Sequence, residues 1–195
     1  MIEITINRIP YNLPQSWKEV TVSQFREIVR HSEHINPVRL LSIFTGIDYD
    51  LLSDMDCSGF DNVFLLMDFI GESPNPEKWQ RSKVIELNGL LIPVIKSIEK
   101  EKIGQKIIAQ QVINEAAINQ QSKIEIVSKL VACYYCTKLN KDGKWIESEY
   151  EALIEQVDKM SVVEAYAEAN FFLSKWKVFA PKNPTLSPLN QPLTN

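Results

Sequence analysis

Several kinds of residue are scarce in this 195-residue sequence, and each scarcity removes a class of function. The three cysteines are an odd number, which fits no disulfide framework and favours a reducing compartment. The six glycines are scattered singly, and Gly104-Gln105-Lys106 lacks the other residues of a P-loop, so we expect no nucleotide cofactor. No apolar run approaches the roughly 20 residues that a membrane-spanning helix needs.

The sequence also lacks a large excess of either basic or acidic residues. The 21 basic and 25 acidic side chains leave a net charge of -4. Nucleic-acid binding needs clustered, unneutralised Lys and Arg, so we expect no nucleic-acid partner. The N-terminal residues Met-Ile-Glu-Ile-Thr-Ile have neither the basic nor the long apolar part of a signal peptide. We therefore expect a cytoplasmic protein without a membrane partner.

The first 70 residues carry signals for one strand and several short helices. Alternation of apolar and polar residues over 2–6 predicts a half-buried strand, and Pro10 and Pro14 are expected to break regular structure after it. Capping signals predict a helix over 22–32 after Thr21 and Gln24, a helix between Asn36-Pro37 and Gly46, and helices over 49–55 and 59–70 after Asp48 and Asp56.

The remaining sequence predicts a β-hairpin followed by longer helices. Asn88-Gly89 lies between two apolar runs, and a type I′ turn needs positive φ at both central positions. Strand 2–6 is a candidate to pair with this hairpin. Helices are predicted over 97–119, from the capping box Ser122/Glu125 to 137, near 147–158, and from the capping box Ser161/Glu164 to 179.

These elements predict a mainly α fold with a small β element (α+β). We expect one helical domain over 1–180, with a soft internal boundary at the proline-containing loop 71–82. The segment 181–195 contains four prolines and no aromatic residue, and it is predicted to be a flexible tail.

Three groups of side chains resemble reactive sites, but each has a simpler interpretation. Cys133 and Cys136 have the spacing of a redox pair or half a zinc site. They fall near the C-terminal end of a predicted helix, where the dipole disfavours a thiolate, so we interpret them as structural. The other spare ligands are Cys57, His31 and His34, whose spacing matches no zinc finger.

The acidic pairs Asp48/Asp50 and Asp54/Asp56 lack the glycine and terminal glutamate of a calcium loop. We interpret them as helix caps and solvated loop residues. No catalytic residue and no metal site is predicted.

Two features favour contact with another protein. Trp17 and Trp79 lie in predicted loops beside prolines, where they are either anchors for a partner or packing over a domain edge. The helix 98–121 is rich in amides and has a thin apolar stripe that includes Ile103 and Ile107, so it is either exposed to solvent or packed on a partner. Its candidate contact residues are Gln105, Gln110, Gln111 and Asn114.

The order of several motifs resembles a family of small proteins encoded in the structural gene blocks of tailed bacteriophages and of prophages in Bacteroides-type hosts. These proteins are likened to tail assembly chaperones. The motifs are the segment LPQSWKEVT at 13–21, Gln24-Phe25, LLSIFTGI at 40–47, the Asn-Gly hairpin, Ile103-Gly104-Gln105-Lys106, Val163-Glu164-Ala165-Tyr166 and Phe171-Phe172-Leu173.

The resemblance extends over 2–179 and brings no catalytic residue and no cofactor with it. It implies a phage assembly factor in the host cytoplasm that binds a tail component, such as the tape-measure protein, through protein–protein contacts. The alternative is a structural component of the virion, such as a head–tail connector, a tail subunit or a baseplate subunit.

Overall fold

The computed structural model describes residues 1–55, 60–72 and 74–179. The predicted cap Asp56, Cys57 and the predicted flexible tail lie outside these ranges. The strands are β1 (Ile2–Ile6), β2 (Ile9–Leu13), β3 (Val84–Leu87) and β4 (Leu90–Pro93), and the helices are α1 (Val22–Arg30), α2 (Pro37–Thr45), α3 (Tyr49–Ser53), α4 (Phe60–Leu65), α5 (Ile103–Ile118), α6 (Lys123–Leu139), α7 (Glu147–Asp158) and α8 (Val162–Phe179). The predicted fold class is therefore confirmed.

The N-terminal strand pairs with its immediate neighbour, so the expected pairing with the Asn-Gly hairpin is wrong. β1 and β2 form an antiparallel hairpin whose turn is Asn7-Arg8, with φ of 50° and 67°. Pro10 lies inside β2 opposite Thr5 and does not end regular structure. Ile6 and Ile9 flank the turn as the hydrogen-bonded pair, so the next pair needs no amide from Pro10.

The predicted Asn-Gly hairpin is confirmed. β3 and β4 pair around Asn88 and Gly89, whose φ angles are 54° and 71°. Its inner side chains, Ile85, Leu87 and Ile92, are buried. This burial fastens the two-stranded sheet to the helices, because a free hairpin of this size is only marginally stable.

The helix ends near the N-terminus follow their local signals. Thr21 and Gln24 form the predicted capping box, with N–O distances of 3.2 Å and 3.0 Å. Asn36 accepts a hydrogen bond from the Arg39 amide at 2.8 Å. Gly46, with φ of 74°, ends α2 in the left-handed conformation.

The two later capping boxes are not formed, and their carboxylates bind distant groups instead. Glu125 accepts hydrogen bonds from the Arg30 guanidinium at 3.0 Å and 2.9 Å, and Ser122 makes no capping bond with its side chain. Glu164 accepts a bond from Ser82 at 3.3 Å. Within the described residues, the buried Ser161 hydroxyl has no hydrogen-bond partner.

Helix α6 is the centre of the molecule. α1, α5, α7 and α8 all pack against it. A helix that is covered on every side has apolar residues around its whole circumference, and α6 fits this rule. Its buried residues are Ile124, Ile126, Val127, Ser128, Leu130, Val131, Ala132, Cys133, Tyr134, Tyr135 and Cys136.

The close contact of α5 with the rest of the molecule depends on Gly104. The indole of Trp145 lies over this glycine, and a Cβ added at Gly104 would be 2.6 Å from Trp145 Cδ1. Real Cβ atoms do not approach a ring carbon so closely, so any larger residue displaces either α5 or Trp145. The predicted helix 97–119 begins only at Ile103, just before this contact.

We predict that Gly104→Ala destabilises the protein. Overpacking costs about 1–3 kcal/mol, and the better helix propensity of alanine offsets about 1 kcal/mol of that loss. Urea unfolding should show the difference. Gly71→Ala is the matched control, because a Cβ there meets no atom within 4 Å. Equal stability of the two variants would contradict the Trp145 packing.

Candidate protein-docking surface on helix α5

The two described cysteines are buried and held as thiols. Burial first, and then the nearby Glu101, raise the pKa of Cys133 to about 12. Burial also raises the pKa of Cys136. Cys133 donates a hydrogen bond from Sγ to the Gln105 carbonyl oxygen at 3.2 Å. The burial of both residues fits their interpretation as structural, and a protonated thiol is a poor nucleophile and metal ligand.

The histidines and the described acidic residues Asp48, Asp50 and Asp54 lie at or near helix ends. His31 follows the last residue of α1, with Nε2 at 3.7 Å from Glu27. Asp48 accepts hydrogen bonds from the amides of Asp50 and Leu51, which confirms it as the N-cap of α3. Across the described ranges, no three side chains of His, Cys, Asp or Glu converge on a possible metal position.

The sequence patterns did not predict one buried ion pair. Glu168 on α8 is 1% exposed and accepts hydrogen bonds from Arg81 at 2.7 Å and 2.6 Å and from the Tyr135 hydroxyl at 2.8 Å. Burial and this carboxylate raise the pKa of Tyr135. Arg81 also bonds the carbonyl of Ile95. Both carboxylate oxygens are thus occupied, and the group fastens the β3–β4 region to α6 and α8. The only sequence signal for this ion pair is that an acidic residue, Glu168, lies among the apolar residues of α8.

Trp17 and Trp79 are half-buried and pack against the core. The Trp17 ring lies edge-on to Phe25 and Phe69, with centroids 5.4 Å away in both cases. The Trp79 ring lies between Phe25 at 6.1 Å and Tyr166 at 5.7 Å. Of the two interpretations of these tryptophans, packing across the loop 71–82 is therefore the one that the geometry favours. We therefore place the docking surface elsewhere.

Gln105 is also removed from the docking surface, because it is 4% exposed. Its Oε1 accepts a hydrogen bond from the Lys102 amide at 2.7 Å. Its Nε2 donates to the Cys133 carbonyl at 3.2 Å and to Thr137 Oγ1 at 2.8 Å. The side chain therefore joins the first turn of α5 to α6, and its amide is satisfied within the fold.

The opposite side of α5 is exposed and largely apolar. Ile103, Ile107 and Ile118 are 81%, 57% and 79% exposed. At about 100° per residue they lie on one side of the helix, together with the three remaining amide candidates. We call this set the outer face of α5: Ile103, Ile107, Gln110, Gln111, Asn114 and Ile118. Gln110 and Gln111 are exposed, and Asn114 is half-buried.

The apolar residues of this helix are divided between two sides, and the exposed isoleucines fit the expectation that part of the stripe faces solvent or a partner. Ile103 and Ile107 face solvent, whereas Ala109, Val112, Ile113 and Ala116 face inward. Two of these inward residues are alanines, and all four pack within the core cluster. The outer isoleucines leave most of their apolar surface exposed.

We predict that substitution of the buried Gln105 lowers stability and that substitution of the exposed Gln110 leaves it nearly unchanged. Gln105→Ala removes buried hydrogen bonds and should lower the unfolding free energy by about 1–3 kcal/mol. Gln110→Ala, on the outer face of the same helix, should change it by less than about 0.5 kcal/mol. Chemical denaturation of both variants checks this, and a destabilising Gln110→Ala would contradict the assigned orientation of α5.

Comparison with known proteins adds no relative. No family model matches the chain, and no curated protein and no solved structure matches it. Within the described residues, no helix is both long enough and apolar enough to cross a bilayer.

Proposed function

We propose that the protein is a chaperone-like assembly factor of a bacteriophage tail. It would bind a tail component, such as the tape-measure protein, until the tail tube polymerises. The order of the motifs from 13–21 to Phe171-Phe172-Leu173 supports the assignment to phage assembly. The outer face of α5 is the observation that supports a role in binding.

The chemistry of this face suits an apolar, amide-containing segment of a partner. Its isoleucines provide apolar area, and its amides can each donate and accept hydrogen bonds. The face carries no charged side chain, so it does not select a strongly charged partner. Helices that dock in this way place anchors at intervals of three and four residues, as Ile103, Ile107, Gln110 and Asn114 do.

The rigidity of the support also favours binding. Gln105 and the buried apolar residues of α5 hold this helix on the central helix. A preformed surface loses little conformational entropy when a partner binds. In the described part of the chain, the buried thiols are protonated and the buried carboxylate is paired, so we propose a binding role without catalysis.

Co-expression with the tape-measure protein tests the proposal. The wild-type chain should raise the soluble fraction of that protein, and the double variant Ile103→Glu/Ile107→Glu should lower the soluble fraction toward its level without the factor. Charges on the face oppose burial against an apolar partner. Leu51→Glu on α3 is the matched control, because Leu51 is 66% exposed but lies off the outer face.

Two outcomes would contradict the chaperone role. One is a soluble fraction and a tail length that do not depend on the chain. The other is recovery of the chain from purified virions in a fixed, symmetric copy number, measured by mass spectrometry, which a structural virion component would give.

A further inference from the structure

The segment 94–102 joins the β3–β4 hairpin to α5 and crosses the C-terminal half of α6. We call this segment the strap. Ile98 is 5% exposed and fixes the middle of the strap in the core. The amide of Ile95 donates a hydrogen bond to the Tyr135 hydroxyl oxygen at 3.2 Å. The first turn of α5 follows directly, so the position of Ile103 depends on how the strap is held.

A third attachment of the strap, at Glu101, is incomplete. The carboxylate of Glu101 accepts a hydrogen bond from the Tyr134 hydroxyl. The residue as a whole is half-buried, but its Oε2 atom is fully buried and has no hydrogen-bond partner among the described residues. An ionised carboxylate with an unpaired buried oxygen is costly, because this oxygen has lost its hydration and gained no bond in exchange.

The groups around this carboxylate do not replace the lost hydration. On α6, Cys133 and Tyr134 face it, and burial first and then Glu101 raise the pKa of both, so they stay uncharged. On α5, Lys106 attracts the carboxylate, but burial has the larger effect and raises the pKa of Glu101 above its ordinary value. Among the described side chains of α7 and α8, no titratable group shifts this pKa.

We propose that Glu101 makes the strap a proton-controlled latch. With the carboxyl group protonated, Glu101 stays against Tyr134 and the strap is closed. With the carboxylate ionised, the strap opens more often, because the open form returns the carboxylate to water. Opening releases the start of α5 and with it the first isoleucine of the outer face. This inference does not depend on the proposed function, since the strap opens and closes in the isolated chain.

The direction of the pH effect follows from proton binding. The closed form holds the proton of Glu101 more tightly than the open or unfolded chain, whose carboxyl group has the ordinary pKa of 4.5. Just above this pH, the closed form therefore binds more protons. The stability of the closed form falls as the pH rises through this range, and it levels off once the carboxylate is ionised in both forms.

Urea unfolding of the full chain at several pH values tests the latch. Glu101→Gln keeps the shape of the side chain but cannot ionise. The free energy of unfolding of the wild type, relative to Glu101→Gln, should fall between about pH 4 and about pH 7 and then stay constant. Glu99→Gln is the matched control, because Glu99 is an exposed glutamate of the same strap. Its difference from the wild type should change little with pH. A stability relative to Glu101→Gln that stays constant or rises with pH would contradict the latch.

Hydrogen exchange measured by NMR locates the opening and needs no variant. The amides of Ile95, Glu101 and Lys102 donate hydrogen bonds that fix the strap. Their protection factors, corrected for intrinsic exchange rates, should be lower at about pH 7 than at about pH 5, whereas that of Ala165 in the first turn of α8 should change less. Equal protection of the strap amides at both pH values in the wild type would contradict the opening.

The two proposals fail separately. A strap that does not respond to pH, in a chain that still raises tape-measure solubility, contradicts the latch and leaves the assembly role intact. A strap that responds to pH, in a chain without any effect on that solubility, contradicts the assembly role and leaves the latch intact.

Discussion

The close approach of α5 to α6 is the constraint on which the surface of this protein depends. The inward side of α5 carries Ala109 and Ala116, and Gly104 makes room for the Trp145 ring. Gln105 bridges the two backbones through its amide. Because Gln105, Ala109, Val112, Ile113 and Ala116 form the inward side, the isoleucines Ile103, Ile107 and Ile118 lie outside. The outer face of α5 is thus exposed as a consequence of the contacts that orient this helix against α6.

Polar contacts hold the outer elements on the central helix. Arg26 on α1 bonds Asp158 on α7 at 2.7 Å and Ser128 on α6 at 3.0 Å. Glu168 on α8 likewise forms an ion pair with Arg81 in the segment before β3. Removing one partner of a buried ion pair costs about 3–5 kcal/mol, because the other charge stays desolvated. These pairs therefore favour one arrangement of the helices.

Local signals in the sequence were sufficient where the structure depends on neighbouring residues. The Asn88-Gly89 turn, the Thr21/Gln24 box and the Asn36 and Asp48 caps involve residues close in sequence, and all are confirmed. The boxes at Ser122 and Ser161 did not form, and Arg30 and Ser82, remote in the sequence, bind the glutamates instead.

The candidate site was predicted only in part. The amide-rich helix was singled out correctly as unusual, but periodicity does not reveal which side of a helix faces inward. Gln105 and Gln110 are the same residue type on one helix, and only the position of α6 makes the first structural and leaves the second exposed. The packing of the tryptophans also depends on tertiary contacts that the sequence does not reveal. The partners of Trp79, Phe25 and Tyr166, lie far from it in the sequence.

Hydroxyl-radical footprinting at low protein concentration tests the orientation of α5 most directly. Ile103 and Ile118, 81% and 79% exposed, should be oxidised severalfold faster than Ile113 and Ile124, which are 6% and 3% exposed. Oxidation of Ile103 and Ile118 as slow as that of Ile113 would mean that the fold itself covers this side of the helix. The outer face would then be unavailable to any partner.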